Sequence, residues 1–336
     1  TCKRIIDMKN IAINGFGRIG RLTFRNLMQR KDLKVTAIND LTDINTLAHL
    51  LKYDSVQGKY PGEVHVEGNA LIVDGHSIEI TAERDPSNLP WNNHKIDLVV
   101  ESTGRFLTTE LAQKHIDAGA TRVLLSAPAK SADIPTFVLG VNDSGLSDQP
   151  IVSNASCTTN CGAPMTKVIH DHLVVERGFL TTVHAYTSDQ NILDAPHADL
   201  RRARAAALSI IPTKTGAAKA IGLVMPSMQG KIDGVAARVP TPTGSFTQIS
   251  FQTEKTASIE EIMQFFKEAA ASNLKGVLEY SEDPLVSTDI IGNPHSCIFD
   301  ATLTKASENL ITVFGWYDNE MGYATRMADM TERMTA

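Results

Sequence analysis

Short apolar runs alternate with amphipathic stretches through the first half of the chain. Residues 9–14 (KNIAIN) predict a strand, and 18–31 (RIGRLTFRNLMQRK) a helix with Ile19, Leu22, Phe24 and Leu27 as its apolar positions. A second strand follows at 34–39 (KVTAIN), so the chain opens with a βαβ unit. Further strands are predicted at 70–73, 77–81, 96–101 (IDLVVE), 122–126 (RVLLS) and 151–153, with a helix at 109–119. This alternation implies a doubly wound, mostly parallel sheet of the Rossmann type in an α/β protein.

From residue 157 onward the texture changes. Stretches 178–184 (GFLTTVH), 232–239 (IDGVAARV), 245–253 (SFTQISFQT), 297–304 and 310–317 are longer and alternate more regularly. They predict a second α+β domain with a mixed or antiparallel sheet. Residues 185–215 have weak periodicity and read as a long functional loop with a helical piece, and 320–334 as a terminal helix. The expected organisation is a nucleotide-binding domain at 8–156, joined by the C-terminal helix 320–336, and a catalytic domain at 157–319.

Composition narrows the function classes. The chain has 336 residues, of which 42% are hydrophobic, enough for two buried cores. The formal net charge of −6 gives no general reason to bind nucleic acid or an anionic membrane. No apolar run is long enough to span a bilayer, and the start lacks the apolar stretch of a signal peptide. Thr1–Asp7 do not fit the strand that follows, so Met8 is read as the natural start and those residues as an added or loose tail. Four cysteines (Cys2, Cys157, Cys161 and Cys297) are too few for a disulfide framework. None forms a CxxC pair, so no metal site is expected and a reducing cytoplasm fits best.

Residues 15–20 read GFGRIG, a GxGxxG that follows a predicted strand and opens a predicted helix. In that setting Gly15 allows a tight turn, Gly17 lets the backbone approach a pyrophosphate, and Gly20 permits close helix–strand packing. The helix N-terminus then supports the phosphate charge. Asp40 ends the second strand, where a carboxylate can accept ribose hydroxyls and repel a 2′-phosphate, which favours NAD over NADP. The alternative for Asp40 is a turn residue in Asn39-Asp40.

Residues 153–161 read SNASCTTNC, small polar residues between a strand and an apolar-periodic stretch. Cys157 would then sit at or near a helix N-terminus, where the dipole favours a thiolate and backbone N–H groups can receive an oxyanion. Pro164 conflicts with this, so the helix either starts nearer residue 161 or kinks. His184, at the end of GFLTTVH, is the candidate base, with a structural histidine as the alternative. Cys161 and Cys297 read as packing residues, and His170 and His172 as members of a solvated helix face.

Taken in order, INGFGRIGR (13–21), AIND (37–40), LLKYDSVQGK (50–59), STGRF (102–106), LSAPAK (125–130), SNASCTTNC (153–161), TVHAYTSDQ (182–190), DLRRARAAA (199–207), TGAAKAIG (215–222), RVPTPTGS (238–245) and WYDNEMGYATRM (316–327) span nearly the whole chain. Together they resemble the glyceraldehyde-3-phosphate dehydrogenase family. The resemblance implies that Cys157 attacks an aldehyde to form a hemithioacetal, and that His184 acts as base while hydride passes to NAD. Inorganic phosphate would then split the thioester, giving 1,3-bisphosphoglycerate from glyceraldehyde 3-phosphate.

It also implies a substrate-phosphate pocket of Thr187, Asp189 and Arg238, with Asp189 orienting Arg238. Ser156, Thr158, Arg202, Thr215 and Gly216 match positions around the attacking phosphate. Arg18, Ile19, Arg84, Ser126 and Asn319 match further NAD contacts, Asn319 holding the nicotinamide amide. A homotetramer is implied, in which the 185–215 loop reaches a neighbouring subunit's cofactor. The sequence departs from the family at the tail before Met8 and at Met321, where many relatives carry an aromatic residue. Competing readings are an erythrose-4-phosphate dehydrogenase, a more distant acyl-phosphate reductase and a non-catalytic dinucleotide-binding scaffold. The intact Cys157 and His184 argue against the scaffold.

Overall fold

The computed structural model describes residues 8–336, so the tail before Met8 lies outside the described residues. Backbone proximity divides the chain into two compact units. Of the described residues, one unit holds 8–137 with 144–155 and 324–336, and the other holds 138–143 and 156–323.

The first unit opens with β1 (Lys9–Asn14), α1 (Arg18–Leu27), β2 (Leu33–Asn39), α2 (Ile44–Lys52), β3 (Val64–Glu67), β4 (Ala70–Val73) and β5 (His76–Thr81). It continues through β6 (Leu98–Glu101), α3 (Thr109–Asp117), β7 (Arg122–Leu125) and β8 (Ile151–Ser153). The strand order β3-β4-β5-β2-β1-β6-β7-β8 is that of a doubly wound sheet, parallel from β5 to β8, with β3 and β4 added antiparallel at one edge. The predicted Rossmann-type unit is therefore present. Its parallel strands are covered on both faces, and Leu98, Val99, Val100, Val123, Leu124 and Leu125 are completely buried. The first helix is shorter than its sequence pattern, ending at Leu27 rather than near residue 31.

The second unit contains α4 (Cys157–Leu173), β9 (Val175–Ala185), β10 (Ile211–Lys214), α5 (Ala217–Val224), β11 (Ile232–Val239), β12 (Ser245–Thr253) and α6 (Ile259–Ala271). It then runs through β13 (Leu278–Ser281), β14 (Cys297–Asp300), β15 (Lys305–Ser307) and β16 (Leu310–Tyr317) to the start of α7 (Met321–Thr335). Its sheet has the order β10-β11-β9-β12-β16-β14-β13, with β15 on β16. Pairing is mixed, β9–β11 being parallel and β9–β12 antiparallel, as the alternating sequence predicts. The predicted strand 297–304 stops at Asp300, whose carboxylate accepts Thr302 N–H at 3.1 Å and turns the chain into a short 3-10 segment.

No helix forms between β9 and β10, so the helical piece expected within 185–215 is absent. Side chains there compete for the backbone. Asp194 accepts Ala205 N–H at 3.1 Å and Asp199 accepts Arg201 N–H at 2.9 Å. From Ala324 onward α7 belongs to the first unit. There Arg30 pairs with Asp329 and, at 3.1 Å, with Glu332, while Arg122 donates to Met334 O at 2.5 Å.

A single residue joins α4 to β9. Val174 has φ +58 and ψ 91, an unfavourable backbone state for a β-branched side chain. Two hydrogen bonds hold it: Val174 N–H to His170 O at 3.0 Å, and Val175 N–H to His170 Nδ1 at 3.1 Å. His170 is therefore half-buried and a structural acceptor as well as part of the helix face, while His172 is exposed as expected and stacks on Phe265 with ring centroids 3.9 Å apart.

Candidate active site

In the first unit a cleft of about 370 Å³ is lined by Asn14, Gly15, Gly17, Asn39, Asp40, Leu41, Glu83, Arg84, Ser102, Thr103, Arg105 and Phe106. The glycines have separable reasons to be there. Gly15 has φ +94, and a Cβ on it would stand 2.7 Å from Thr103 N. A Cβ on Gly20 would stand 2.1 Å from Gly15 O, so nothing larger lets α1 pack into its own turn. A Cβ on Gly17 would meet nothing within 4 Å, and Gly17 caps α1 with no side-chain acceptor. The positive end of the helix dipole at this turn attracts phosphate charge. These features fit a dinucleotide pyrophosphate.

Asp40 lines the same cleft. Its carboxylate accepts Phe16 N–H at 2.7 Å and Thr42 N–H at 2.9 Å, which aims it from the end of β2. Arg18 and Ile19 lie in the first turn of α1, where the Arg18 guanidinium makes two bonds of 3.1 Å to Asp54. Arg84 lines the cleft, whereas Ser126, just past β7, does not, and Asn319 belongs to the second unit. Below the loop lies a buried network that sequence reasoning missed. Glu101 accepts from Asn14 Nδ2 at 2.6 Å and from Thr103 N–H at 2.8 Å, and contacts His115 Nε2 at 3.0 Å. Trp91 Nε1 donates to His115 Nδ1 at 3.0 Å, which places the remaining imidazole proton on Nε2, toward Glu101.

In the second unit the nucleophile segment resolves cleanly. Ser156 is the N-cap, its hydroxyl accepting Thr159 N–H at 3.1 Å, and Cys157 is the first residue of α4. The helix runs through Pro164, so of the two alternatives the late start is excluded. Burial outweighs the helix terminus at Cys157 and raises the thiol, while Arg238, the Thr158 hydroxyl and the Thr158 and Cys157 N–H groups pull toward the thiolate. Cys161 and Cys297 are fully buried, as expected of packing residues.

His184 comes from the C-terminal end of β9, and its Nε2 lies 3.4 Å from Cys157 Sγ. Its Nδ1 lies 2.7 Å from Ala185 O and 2.8 Å from Arg238 Nη1, which also donates to Ala185 O at 3.0 Å. A neutral imidazole cannot make both Nδ1 contacts. With a proton on Nδ1 it donates to Ala185 O and offers Nε2 as acceptor for the thiol proton. With the proton on Nε2 it accepts from Arg238 and donates toward sulfur. The parallel pairing of β9 and β11 sets Arg238 beside His184.

Burial favours the neutral form of both partners. Burial pushes the Cys157 thiol up, against the opposing pull of Arg238. Burial, then the Arg238 charge, take His184 down to about 3. Arg238 therefore favours the thiolate and disfavours the imidazolium. Tyr317, missed in the sequence, sits under the pair. Its hydroxyl bonds Thr158 Oγ1 at 3.0 Å and Thr182 Oγ1 at 2.9 Å, and its ring meets the His184 ring edge-on at 6.0 Å.

The anion-binding candidates are only partly joined. Asp189 does not orient Arg238 as expected. It pairs with Arg202, which also donates to Thr213 Oγ1 at 3.0 Å, because the folded loop brings Arg202 against β10. Arg238 is instead committed to His184 and Ala185. Thr158 is committed to Tyr317, and Thr215 accepts Ala217 N–H at 3.2 Å. Gly216 caps α5 without a side chain, and a Cβ on it would meet open space. Among the described residues, no hydrogen bond ties Thr187, Thr215 or Gly216 to either guanidinium.

A thiol set against a base can add to a carbonyl carbon, and a dinucleotide cleft in the same chain would hold an acceptor for the hydride lost when that adduct is oxidised. That pairing defines a nicotinamide-dependent oxidoreductase. Residues 9–109 match the family model described as glyceraldehyde 3-phosphate dehydrogenase, NAD binding domain, and residues 156–319 match its C-terminal domain. Similar curated proteins include glyceraldehyde-3-phosphate dehydrogenases of Mycobacterium avium and Geobacillus stearothermophilus, each 54% identical over 95% of this chain and 96% of its relative. That of Kitasatospora aureofaciens is 53% identical over 98% of this chain and all of its own length. The chain belongs to the glyceraldehyde-3-phosphate dehydrogenase family and is an NAD-dependent oxidoreductase.

Proposed function

We propose that this chain oxidises and phosphorylates glyceraldehyde 3-phosphate through a thioester on Cys157. The observation that supports this most is the Sγ–Nε2 approach of 3.4 Å at the first residue of α4. His184 Nε2 takes the thiol proton as sulfur bonds to the aldehyde carbon and passes it to the new oxygen, forming a hemithioacetal. Oxidation then returns that hydroxyl proton to Nε2 as hydride leaves the carbon. NAD, when bound, supplies the hydride acceptor, and Gly15, Gly17, Gly20, Arg18, Ile19, Asp40, Arg84, Ser126 and Asn319 would hold it. Attack by inorganic phosphate on the thioester gives the acyl phosphate and restores Cys157. Ser156, Thr158, Arg202, Thr215 and Gly216 would bind the attacking phosphate, and Thr187, Asp189 and Arg238 the substrate phosphate. Asp189 would meet the first of these groups through its pair with Arg202. In domain terms, 8–156 with helix 320–336 serves cofactor binding, and 157–319 serves catalysis.

The same reading extends to assembly and location. Ile192, Leu193, Leu200, Leu208 and Ile210 are each at least 70% exposed in the β9–β10 segment, more apolar surface than a lone subunit needs. A homotetramer that covers this segment would account for it, and sedimentation velocity would read the mass. Among the described residues no helix is long and apolar enough to cross a membrane, and the three described cysteines are unpaired, which suits the cytoplasm. The decisive assay follows NADH from glyceraldehyde 3-phosphate and NAD with and without phosphate. The proposal expects continuous turnover with phosphate, and a burst of about one NADH per site without it. Turnover that ignores phosphate would mean that water resolves the thioester.

A further inference from the structure

β12 opens at Ser245, after a turn in which Gly244 has φ +85. In the β12–β16 ladder Ser245 pairs with Tyr317, two residues before Asn319. Across the β9–β12 ladder, Phe246 pairs with Val183, which brings Ser245 to the end of β9 beside His184 and Ala185. Ser245 is 1% exposed and has two partners. Ala185 N–H donates to its oxygen at 3.1 Å. Its own hydroxyl lies 2.8 Å from Asn319 Oδ1.

This arrangement leaves the serine proton one destination. A backbone N–H can only donate, so Ala185 occupies a lone pair of Ser245 Oγ, and the hydroxyl hydrogen must go to the asparagine oxygen. Thr243, the other hydroxyl near that amide, lies 3.4 Å from Asn319 Oδ1 but 2.9 Å from Asp318 Oδ1, so its single proton goes to the closer, charged acceptor. The Asp318 carboxylate also accepts Glu320, Met321 and Gly292 N–H groups, which fixes the backbone around Asn319 without fixing its amide. Were the amide reversed, the buried serine proton would have no acceptor. Asn319 Nδ2 bonds to none of the described residues.

We propose that Ser245 is a positioning residue that sets the Asn319 amide so that it offers a cofactor an N–H donor and no acceptor. Through the Ala185 peptide it also ties that amide to the catalytic imidazole, since Ala185 C=O is the His184 Nδ1 partner. This rests on the reading of Asn319 as the residue that meets the nicotinamide amide. A donor-only Asn319 recognises the carbonyl oxygen of that group and is indifferent to its NH₂. The enzyme should then accept 3-acetylpyridine adenine dinucleotide, whose acetyl group keeps the carbonyl and lacks the N–H. With Ser245 removed, Asn319 can reverse and offer its oxygen. NAD can answer by rotating its own amide, and the acetyl analogue cannot.

The experiment measures kcat/KM for NAD and for the acetylpyridine analogue in the wild type, Ser245→Ala, Ser245→Thr and Asn319→Ala. The ratio of NAD to analogue should rise about tenfold in Ser245→Ala, the worth of one buried hydrogen bond, and return to the wild-type value in Ser245→Thr. Asn319→Ala should lose kcat/KM with both cofactors. An unchanged ratio in Ser245→Ala alongside an impaired Asn319→Ala overturns the role of Ser245. An Asn319→Ala enzyme unimpaired with both cofactors removes instead the reading of Asn319 beneath it. Should Ser245→Ala not fold, Ser245→Cys, of similar size and a weak donor, is expected to raise the ratio in the same way, and failure to do so overturns the proposal.

Discussion

Replacing His184 with Asn removes the acceptor 3.4 Å from Cys157 Sγ while keeping a polar group in its place. In the native site burial raises the thiol, and the neutral imidazole, held down to about 3, is the group that can take its proton as sulfur attacks. Without it only free thiolate reacts, and burial keeps thiolate scarce at neutral pH. Charge develops as the proton moves, and a hydrogen bond to a charged group contributes about 1.5–3 kcal/mol, equivalent to a factor of roughly 10–100 in rate. The assay is the rate of Cys157 alkylation by iodoacetamide against pH, with no aldehyde present. Cys161 and Cys297 are fully buried and should not contribute, and peptide mass spectrometry would separate Cys157 alkylation from that of Cys2. We expect the variant to react about 10–100-fold more slowly at neutral pH and its profile to move toward higher pH, meeting the wild type in alkali. The sign follows from the loss of the base: where burial holds the thiol protonated only its small thiolate fraction then reacts, whereas in alkali both enzymes carry thiolate and their rates meet. Superimposable profiles would refute the argument, since they would mean that the thiol proton never reaches His184.

Three further outcomes are expected. Asp40→Ala should raise the NADP-to-NAD ratio of kcat/KM about tenfold or more, because the carboxylate aimed by Phe16 and Thr42 N–H groups no longer repels a 2′-phosphate; an unmoved ratio would mean that Asp40 does not face the ribose. Gly20→Ala should weaken NAD binding at least about tenfold in a calorimetric titration, because its Cβ would fall 2.1 Å from Gly15 O; wild-type affinity would show that the turn can relax. Tyr317→Phe should lower unfolding stability by about 1–2 kcal/mol in urea, because Thr158 and Thr182 lose the hydroxyl that joins them, and an unshifted midpoint would show that the two threonines find other partners.

Much of this was legible in the sequence because the signals are local. The strands at 151–153, 232–239, 245–253 and 310–317 begin and end where the alternation does. The GxGxxG turn and the cysteine at the start of α4 carry their own stereochemistry. Two helices went unread although their caps were visible: Asp43 accepts Thr46 N–H ahead of α2, and Ser258 with Glu261 forms a capping box on α6. The remainder depends on tertiary contacts. The partner of Asp189 is decided by how a loop without regular structure folds back on β10, which no periodicity encodes. Tyr317 and Ser245 sit in ordinary strand patterns, and only the sheet order that sets β9 beside β12 and β12 beside β16 gives them their partners. His170 looked like a surface residue because its acceptor role depends on the backbone reversing at the next turn.

That reversal bears on how the chain tolerates change. Nucleophile and base are 27 residues apart, carried by consecutive elements with only Val174 between them. Side chains in a strand alternate faces, so an insertion or deletion of one residue at this point would rotate β9 by half a repeat and present Val183 or Ala185 where the imidazole stands. Loops elsewhere can lengthen at small entropic cost. Here an indel would erase the chemistry outright, so natural length variation and circular permutation should avoid this junction even though Val174 is one of the more strained residues of the backbone.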